Sequence, residues 1–135
     1  MVEFISKFIQ KNKEQPFLVY YPMILTHCPF VPTPHSDNWN PDSRGSDSYK
    51  GDEVYFSDMV EYVDYLVGKI ENVLKENNLI ENTYLIFTGD NGTDRPVVSE
   101  FNGYNFPGRK GTMTDGGTHV PLIVSCPGTV DESVN

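Results

Sequence analysis

MVEYVDYLVGKIENVLKENNLIENTYLIFTGDNG, residues Met59–Gly92, decides the fold. Val54, Phe56, Met59, Val60, Val63, Leu66, Val67, Ile70, Val73 and Leu74 keep helical spacing, with Asp58, Glu61, Asp64, Lys69 and Glu71 falling mainly between them. That pattern predicts an amphipathic helix of roughly five turns. Asn77-Asn78 is a suitable C-terminal stop. NTYLIFTGD then runs apolar and β-prone into Asp90-Asn91-Gly92, as a buried strand does before a loop.

Outward from this unit, Phe4, Ile5, Phe8 and Ile9 predict a short amphipathic helix that ends in the polar stretch 11–15. PFLVYYPM (16–23) reads as a strand buried on both faces, and VPLIVSCPG (120–128) as a third strand starting near Pro121. Residues 23–52 form a long proline-rich connection without periodicity, the kind that is functional or disordered. A Gly-rich segment spans Gly103–Gly117. The order helix, strand, loop, helix, strand, loop, strand predicts an α/β layer with parallel strands and crossover helices, within one domain.

Composition narrows the function classes. Acidic residues outnumber basic ones 19 to 10, a formal charge of -9, which argues against a nucleic-acid partner. No apolar run reaches the length of a membrane span. Cys28 and Cys126 are too few for a disulfide framework, though one bridge between them is open on spacing.

In open parallel sheets ligands sit beyond the carboxyl ends of the strands. His27, in ILTHCPF, and Asp90-Asn91 would therefore share one rim. Read alone, Asp90-Asn91-Gly92 has three meanings. It suits an Asn-Gly hairpin turn, an N-x-T glycosylation acceptor, or a pair of hard-oxygen ligands for Ca²⁺ or Mg²⁺. An EF-hand is excluded, because its sixth position would be Arg95 and its twelfth Phe101. Gly103 and Gly108 have phosphate-loop spacing, but Arg109-Lys110-Gly111 follows in place of Lys-Ser/Thr, and the segment precedes a strand. What remains is Lys110, a surface lysine or a point charge for an anion. His27, His35 and His119 lack zinc-site spacing. A Cys28 nucleophile beside His27 is disfavoured, since dyads join distant segments.

PFLVYYPMILTHCPFVPTP, the helix–strand segment 59–92 and GRKGTMTDGGTHVPLIVSCPG together resemble the sulfatase family of the alkaline phosphatase superfamily, in family order over nearly the whole chain. The resemblance implies a partial three-layer α/β/α fold with a mostly parallel, alkaline phosphatase-like sheet. It implies that Asp90 and Asn91 ligate a divalent cation, Ca²⁺ in preference to Mg²⁺, and that His27 and Lys110 contact the sulfate ester substrate and act in catalysis. Asp115 and His119 stand where many relatives carry Glu and Arg.

Sulfatases use a cysteine or serine in a C-x-P-S-R context, converted to formylglycine. Cys28 is followed by Pro29-Phe30-Val31 and Cys126 by Pro127-Gly128-Thr129, so neither matches. The family's acidic metal pair near the first strand is also missing. These departures imply that residues 1–135 are the second portion of a sulfatase catalytic domain, inactive alone and prone to self-association through an exposed sheet edge. The family is often exported, without a signal peptide in this chain to show it. A phosphodiesterase or phosphomutase of the same superfamily is the competing enzyme; those commonly pair Asp with His, whereas this chain has Asp90-Asn91. A non-catalytic anion-binding relative is the competing non-enzyme.

Overall fold

Helix α1, Val2–Asn12, buries Ile5 and Ile9 one turn apart, as the apolar spacing requires. The computed structural model describes residues 1–131, and these divide into two compact units. The first comprises Met1–Pro22, Asp64–Phe87 and the residues from Ile123 onward; the second comprises Met23–Val63 and Thr88–Leu122. Helix α2, Phe56–Glu76, contributes to both.

In the first unit Ile5, Ile9 and Leu74 form the core, with Phe17, Tyr21, Ile70, Val73, Leu79 and Ile80 packed against it. The C-terminal end of α2 is closed by Asn78, held at φ 56°. The Leu79 N–H bonds the Leu74 carbonyl at 2.8 Å and the Asn78 N–H bonds that of Lys75 at 3.0 Å. This is a Schellman closure with Asn in the left-handed position, so the stop expected at Asn77-Asn78 is present. Strands β1, Leu85–Thr88, and β4, Leu122–Ser125, pair with each other. Both lie within stretches expected to be strands.

The stretch 16–23 differs from expectation: it joins no ladder. Phe17 and Tyr21 reach the core, while Leu18 and Tyr20 are 88% and 85% exposed. A strand buried on both faces needs neighbours on both sides; here the packing comes from one side only, through Phe17 and Tyr21, and no strand pairs with the stretch among the described residues. Ile86, Leu122 and Ile123 are exposed as well.

In the second unit Cys28, Phe30, Met59 and Val97 form the core, with Leu25, Tyr55 and Phe56 around it. Phe30 meets Phe56 edge to face at 5.8 Å, a favoured aromatic geometry. Phe30 also makes an isolated parallel bridge with Gly51. Its N–H bonds the Lys50 carbonyl, and its carbonyl accepts from Asp52 N–H. The long connection thus closes into a loop whose ends are tied together.

The segment after Arg95 carries two strands that the sequence reading did not name. Strands β2, Val98–Phe101, and β3, Tyr104–Pro107, form an antiparallel hairpin that does not pair with β1. The turn is Asn102-Gly103, at φ 52° and 78°, as a type I′ turn demands. Together the described residues carry one antiparallel hairpin, the β1–β4 pair and one parallel bridge rather than an evident, mostly parallel sheet. Helix α3, Asp115–Thr118, is a single turn. Among the described residues no helix is long and apolar enough to cross a membrane.

Candidate functional site

All four residues singled out by the sequence, His27, Asp90, Asn91 and Lys110, belong to the second unit. Strand β1 delivers Asp90 and Asn91 into the loop that follows it. Neither Asn91 nor Gly92 has a positive φ, which excludes the type I′ hairpin turn there. The Asn-Gly that does form a hairpin is eleven residues further on.

This loop is stitched to the segment carrying Lys110 by main-chain hydrogen bonds. The Gly92 N–H bonds the Gly117 carbonyl at 2.9 Å, and the Lys110 N–H bonds the Thr93 carbonyl at 2.9 Å. The Arg109 N–H bonds Gly116 O at 3.0 Å, and Gly108 N–H bonds Val97 O at 2.8 Å. Backbones approach so closely that a Cβ on Gly92 would overlap the Gly116 carbonyl oxygen, and one on Gly108 that of Asp94. Here glycine serves close approach of two main chains. Within GRKGTMTDGG, Gly108, Gly116 and Gly117 stand at such close approaches, while Gly111 has a positive φ of 84°.

The stitching places the Lys110 backbone beside Thr93, two residues from Asn91. Asp90 is exposed, while Asn91 and Lys110 are half-buried. No side-chain hydrogen bond or ion pair within the described residues engages Asp90, Asn91 or Lys110. A carboxylate, an amide oxygen and an ammonium therefore sit uncommitted on a hydrogen-bonded main-chain frame. The N-x-T reading fares poorly, because Gly92, the residue after Asn91, is buried against the 116–117 backbone.

His27 is exposed, and its Nδ1 lies 2.6 Å from the Cys28 carbonyl oxygen. A carbonyl only accepts, so Nδ1 carries the proton and Nε2 is the ring atom left for a ligand. The same Nδ1 is 3.7 Å from Cys28 Sγ. Cys28 is only 7% exposed and packs with Phe30 and Met59, so it is a core thiol and not a nucleophile facing solvent. Cys126 is buried too, its thiol donating to Glu81 O at 3.6 Å. Both cysteines are free thiols, so the disulfide left open by spacing is absent.

The sequence reading missed Lys50 and Asp94. Their side chains form an ion pair that joins the end of the long loop to the residues after Asn91. The Lys50 hydrogen bond holds the Asp94 carboxyl below the usual range, opposed by partial burial and helped by the Arg95 N–H and the Cys28 thiol. The Asp94 partner in turn raises Lys50. Through Cys28, Lys50 and Asp94 the His27 segment and the Asp90–Asp94 loop share one electrostatic neighbourhood. A lysine 44 residues upstream of an aspartate leaves no signal in a single sequence.

Among the described residues no three His, Cys, Asp or Glu side chains cluster as a metal site. Asp90 and Asn91 fit a hard cation as two of the six to eight oxygens that Ca²⁺ takes. Asp115 starts α3 and His119 follows its end, its N–H bonded to Asp115 O at 2.8 Å.

Comparison with known proteins bears on the whole chain. The family model described as Sulfatase matches residues 1–135. Arylsulfatase D of Homo sapiens is 29% identical over 96% of this chain and 21% of its own length. N-acetylgalactosamine-6-O-sulfatase of Bacteroides thetaiotaomicron is 31% identical over 93% of this chain and 24% of its own. Arylsulfatase of Hemicentrotus pulcherrimus is 31% identical over 95% and 21%. The chain thus spans between a fifth and a quarter of the length of these curated relatives.

Proposed function

The chain belongs to the sulfatase family, whose fold is of the alkaline phosphatase-like α/β kind, and on that premise we propose that it supplies the cation-binding and sulfate-binding side of a sulfate ester hydrolase site. The observation that carries this reading is the frame that ties Lys110 to the Asp90–Thr93 loop while leaving the Asp90, Asn91 and Lys110 side chains uncommitted.

Asp90 and Asn91 would hold the divalent cation, Ca²⁺ in preference to Mg²⁺, since a carboxylate and an amide oxygen suit the softer geometric demands of the larger ion. When bound, the cation neutralises charge on the sulfate oxygens. Lys110 acts on the same oxygens as a point charge, held near them by its backbone bond to Thr93. His27, with Nδ1–H turned to the Cys28 carbonyl, offers Nε2 to the ester oxygen; as imidazolium it donates a proton to the departing alcohol or phenol. Neither buried cysteine of this chain is the nucleophile, which we assign to residues outside these 135. On this reading the chain alone is inactive and forms one portion of a larger three-layer catalytic domain whose sheet includes β1 and β4.

The test is hydrolysis of an aryl sulfate against the matching aryl phosphate by the full-length protein bearing this segment. Cation-dependent turnover of the sulfate is expected, with Asp90→Ala and Lys110→Ala each lowering kcat/KM by about 10²-fold or more. Preference for the phosphate would favour the phosphodiesterase or phosphomutase reading. No turnover of either would leave a non-catalytic anion-binding relative.

A further inference from the structure

The Lys50–Asp94 ion pair stands at a junction to which the reaction proposed above assigns no role. Segments 27–30, 50–52, 90–94 and 108–110, all of the second unit, meet there. On the Lys50 side the main chain is tied to Phe30. Lys50 O accepts from Phe30 N–H at 2.8 Å, and Asp52 N–H donates to Phe30 O at 3.0 Å. A Cβ on Gly51 would overlap Phe30 O, so the two main chains touch. On the Asp94 side the preceding carbonyl, Thr93 O, accepts from Lys110 N–H at 2.9 Å, and Asp94 O accepts from Val97 N–H at 3.2 Å. Asp94 O also lies where a Cβ of Gly108 would stand.

Among the described residues no main-chain hydrogen bond joins 24–30 directly to 89–94. Side chains bridge that gap instead. Lys50 Nζ donates to Asp94 Oδ2, and the Cys28 thiol donates to the same carboxylate. Asp94 Oδ1 is fixed in turn by the Arg95 N–H at 2.8 Å. Beneath them Val97 packs with Cys28 and Phe30 in the core. The groups assigned to the reaction lie close by along the chain: His27 is three residues from Phe30, Asn91 is three from Asp94, and Lys110 is bonded to Thr93.

We infer that Lys50 and Asp94 are positioning residues, whose ion pair clamps the His27 segment in register with the frame that carries Asp90, Asn91 and Lys110. The catalytic half of this inference rests on the function proposed above; the clamp does not. Asp94 neutralises Lys50, so neither acts as a free charge on the ester. The Lys50 side chain is 47% exposed, and a pair so open to solvent adds little to global stability. What it adds is the placement of a proton donor relative to the charges that face the sulfate, groups drawn from segments distant in sequence. A displacement of about 1 Å in such an arrangement can cost about 10²-fold in rate. Loss of a side chain that orients a working group costs about 10–100-fold.

Two measurements test the two halves. In the 135-residue chain Lys50→Met keeps the length of the stem without its charge, and hydrogen exchange followed by NMR reads the clamp. The Phe30 and Lys110 amides, on opposite sides of the pair, should exchange several-fold faster, with α2 unchanged and Lys50→Arg restoring protection. Equal protection in parent and variant, or faster exchange throughout α2 as well, overturns the inference. In the full-length protein bearing this segment, acting on an aryl sulfate, Lys50→Met and Asp94→Asn should each lower kcat about 10–100-fold with KM little changed. The double variant should be no worse than either single one, and Lys50→Arg should keep most of the rate. The two single variants leave opposite charges behind, a bare carboxylate and a bare ammonium. A direct electrostatic role toward an anionic ester would therefore move KM in opposite directions. Opposite KM shifts with kcat retained, or additive losses in the double variant, overturn the positioning role. Faster exchange at Phe30 and Lys110 in a protein whose parent turns over no sulfate ester refutes the hydrolase reading and leaves the clamp standing.

Discussion

Substituting Gly92 by alanine is the sharpest probe of the frame that unites Asp90, Asn91 and Lys110. The new Cβ would overlap the Gly116 carbonyl oxygen and lie 2.8 Å from the carbonyl carbons of Gly116 and Gly117. These are backbone atoms, so no side chain can swing aside and one main chain must move. Overpacking of this kind costs about 1–3 kcal/mol. The movement also strains the Gly92 N–H···Gly117 O and Lys110 N–H···Thr93 O bonds, each contributing roughly 0.5–1.5 kcal/mol. A total loss of about 2–6 kcal/mol follows, the upper end if both bonds are lost outright. Gly68, within α2, is the internal control: nothing lies within 4 Å of its Cβ position, and alanine there should stabilise by about 0.5–1 kcal/mol. Urea unfolding of both variants measures the contrast, and hydrogen exchange at the Lys110 amide reports the junction itself. A Gly92→Ala chain within about 0.5 kcal/mol of the parent, the scatter of ordinary surface substitutions, with Lys110 protection unchanged, would refute the close-approach account.

Two further expectations concern charge and exposed surface. The depressed Asp94 carboxyl contributes stability above its unfolded value of ~4, lost as pH falls through its lower folded value; the raised Lys50 contributes below ~10.4, lost as pH rises through its folded value. The pair therefore acts between those limits, and Lys50→Met should move the Asp94 titration, followed by carboxyl NMR, up toward the ordinary carboxylate range. The exposed Leu18, Tyr20, Ile86, Leu122 and Ile123 should make the 135-residue chain self-associate with concentration in sedimentation experiments. Leu18→Lys with Ile86→Lys should reduce that association, and a parent chain that stays monomeric throughout would contradict it.

Local rules were enough for the elements that carry their own period or cap. The spacing of Ile5 and Ile9 gave α1, the apolar stripe to Leu74 gave α2, and Asn78 gave its end. The same rules apply to β2–β3, since Asn102-Gly103 between VSEF and YNFP is a type I′ signal. They misplaced PFLVYYPM because burial on two faces is a property of neighbours, and composition records only the capacity for it.

The site divides along the same line. The residue types at Asp90, Asn91, Lys110 and His27 were legible, because their chemistry is intrinsic to each side chain and their segments resemble those of a family. What the fold added was adjacency. The Lys110–Thr93 and Gly92–Gly117 bonds and the Lys50–Asp94 pair all join residues through loop closure. A single sequence determines which groups the chain can offer. Only tertiary structure, where main chains approach closely enough to exclude even a Cβ, decides which of those groups face a common ligand.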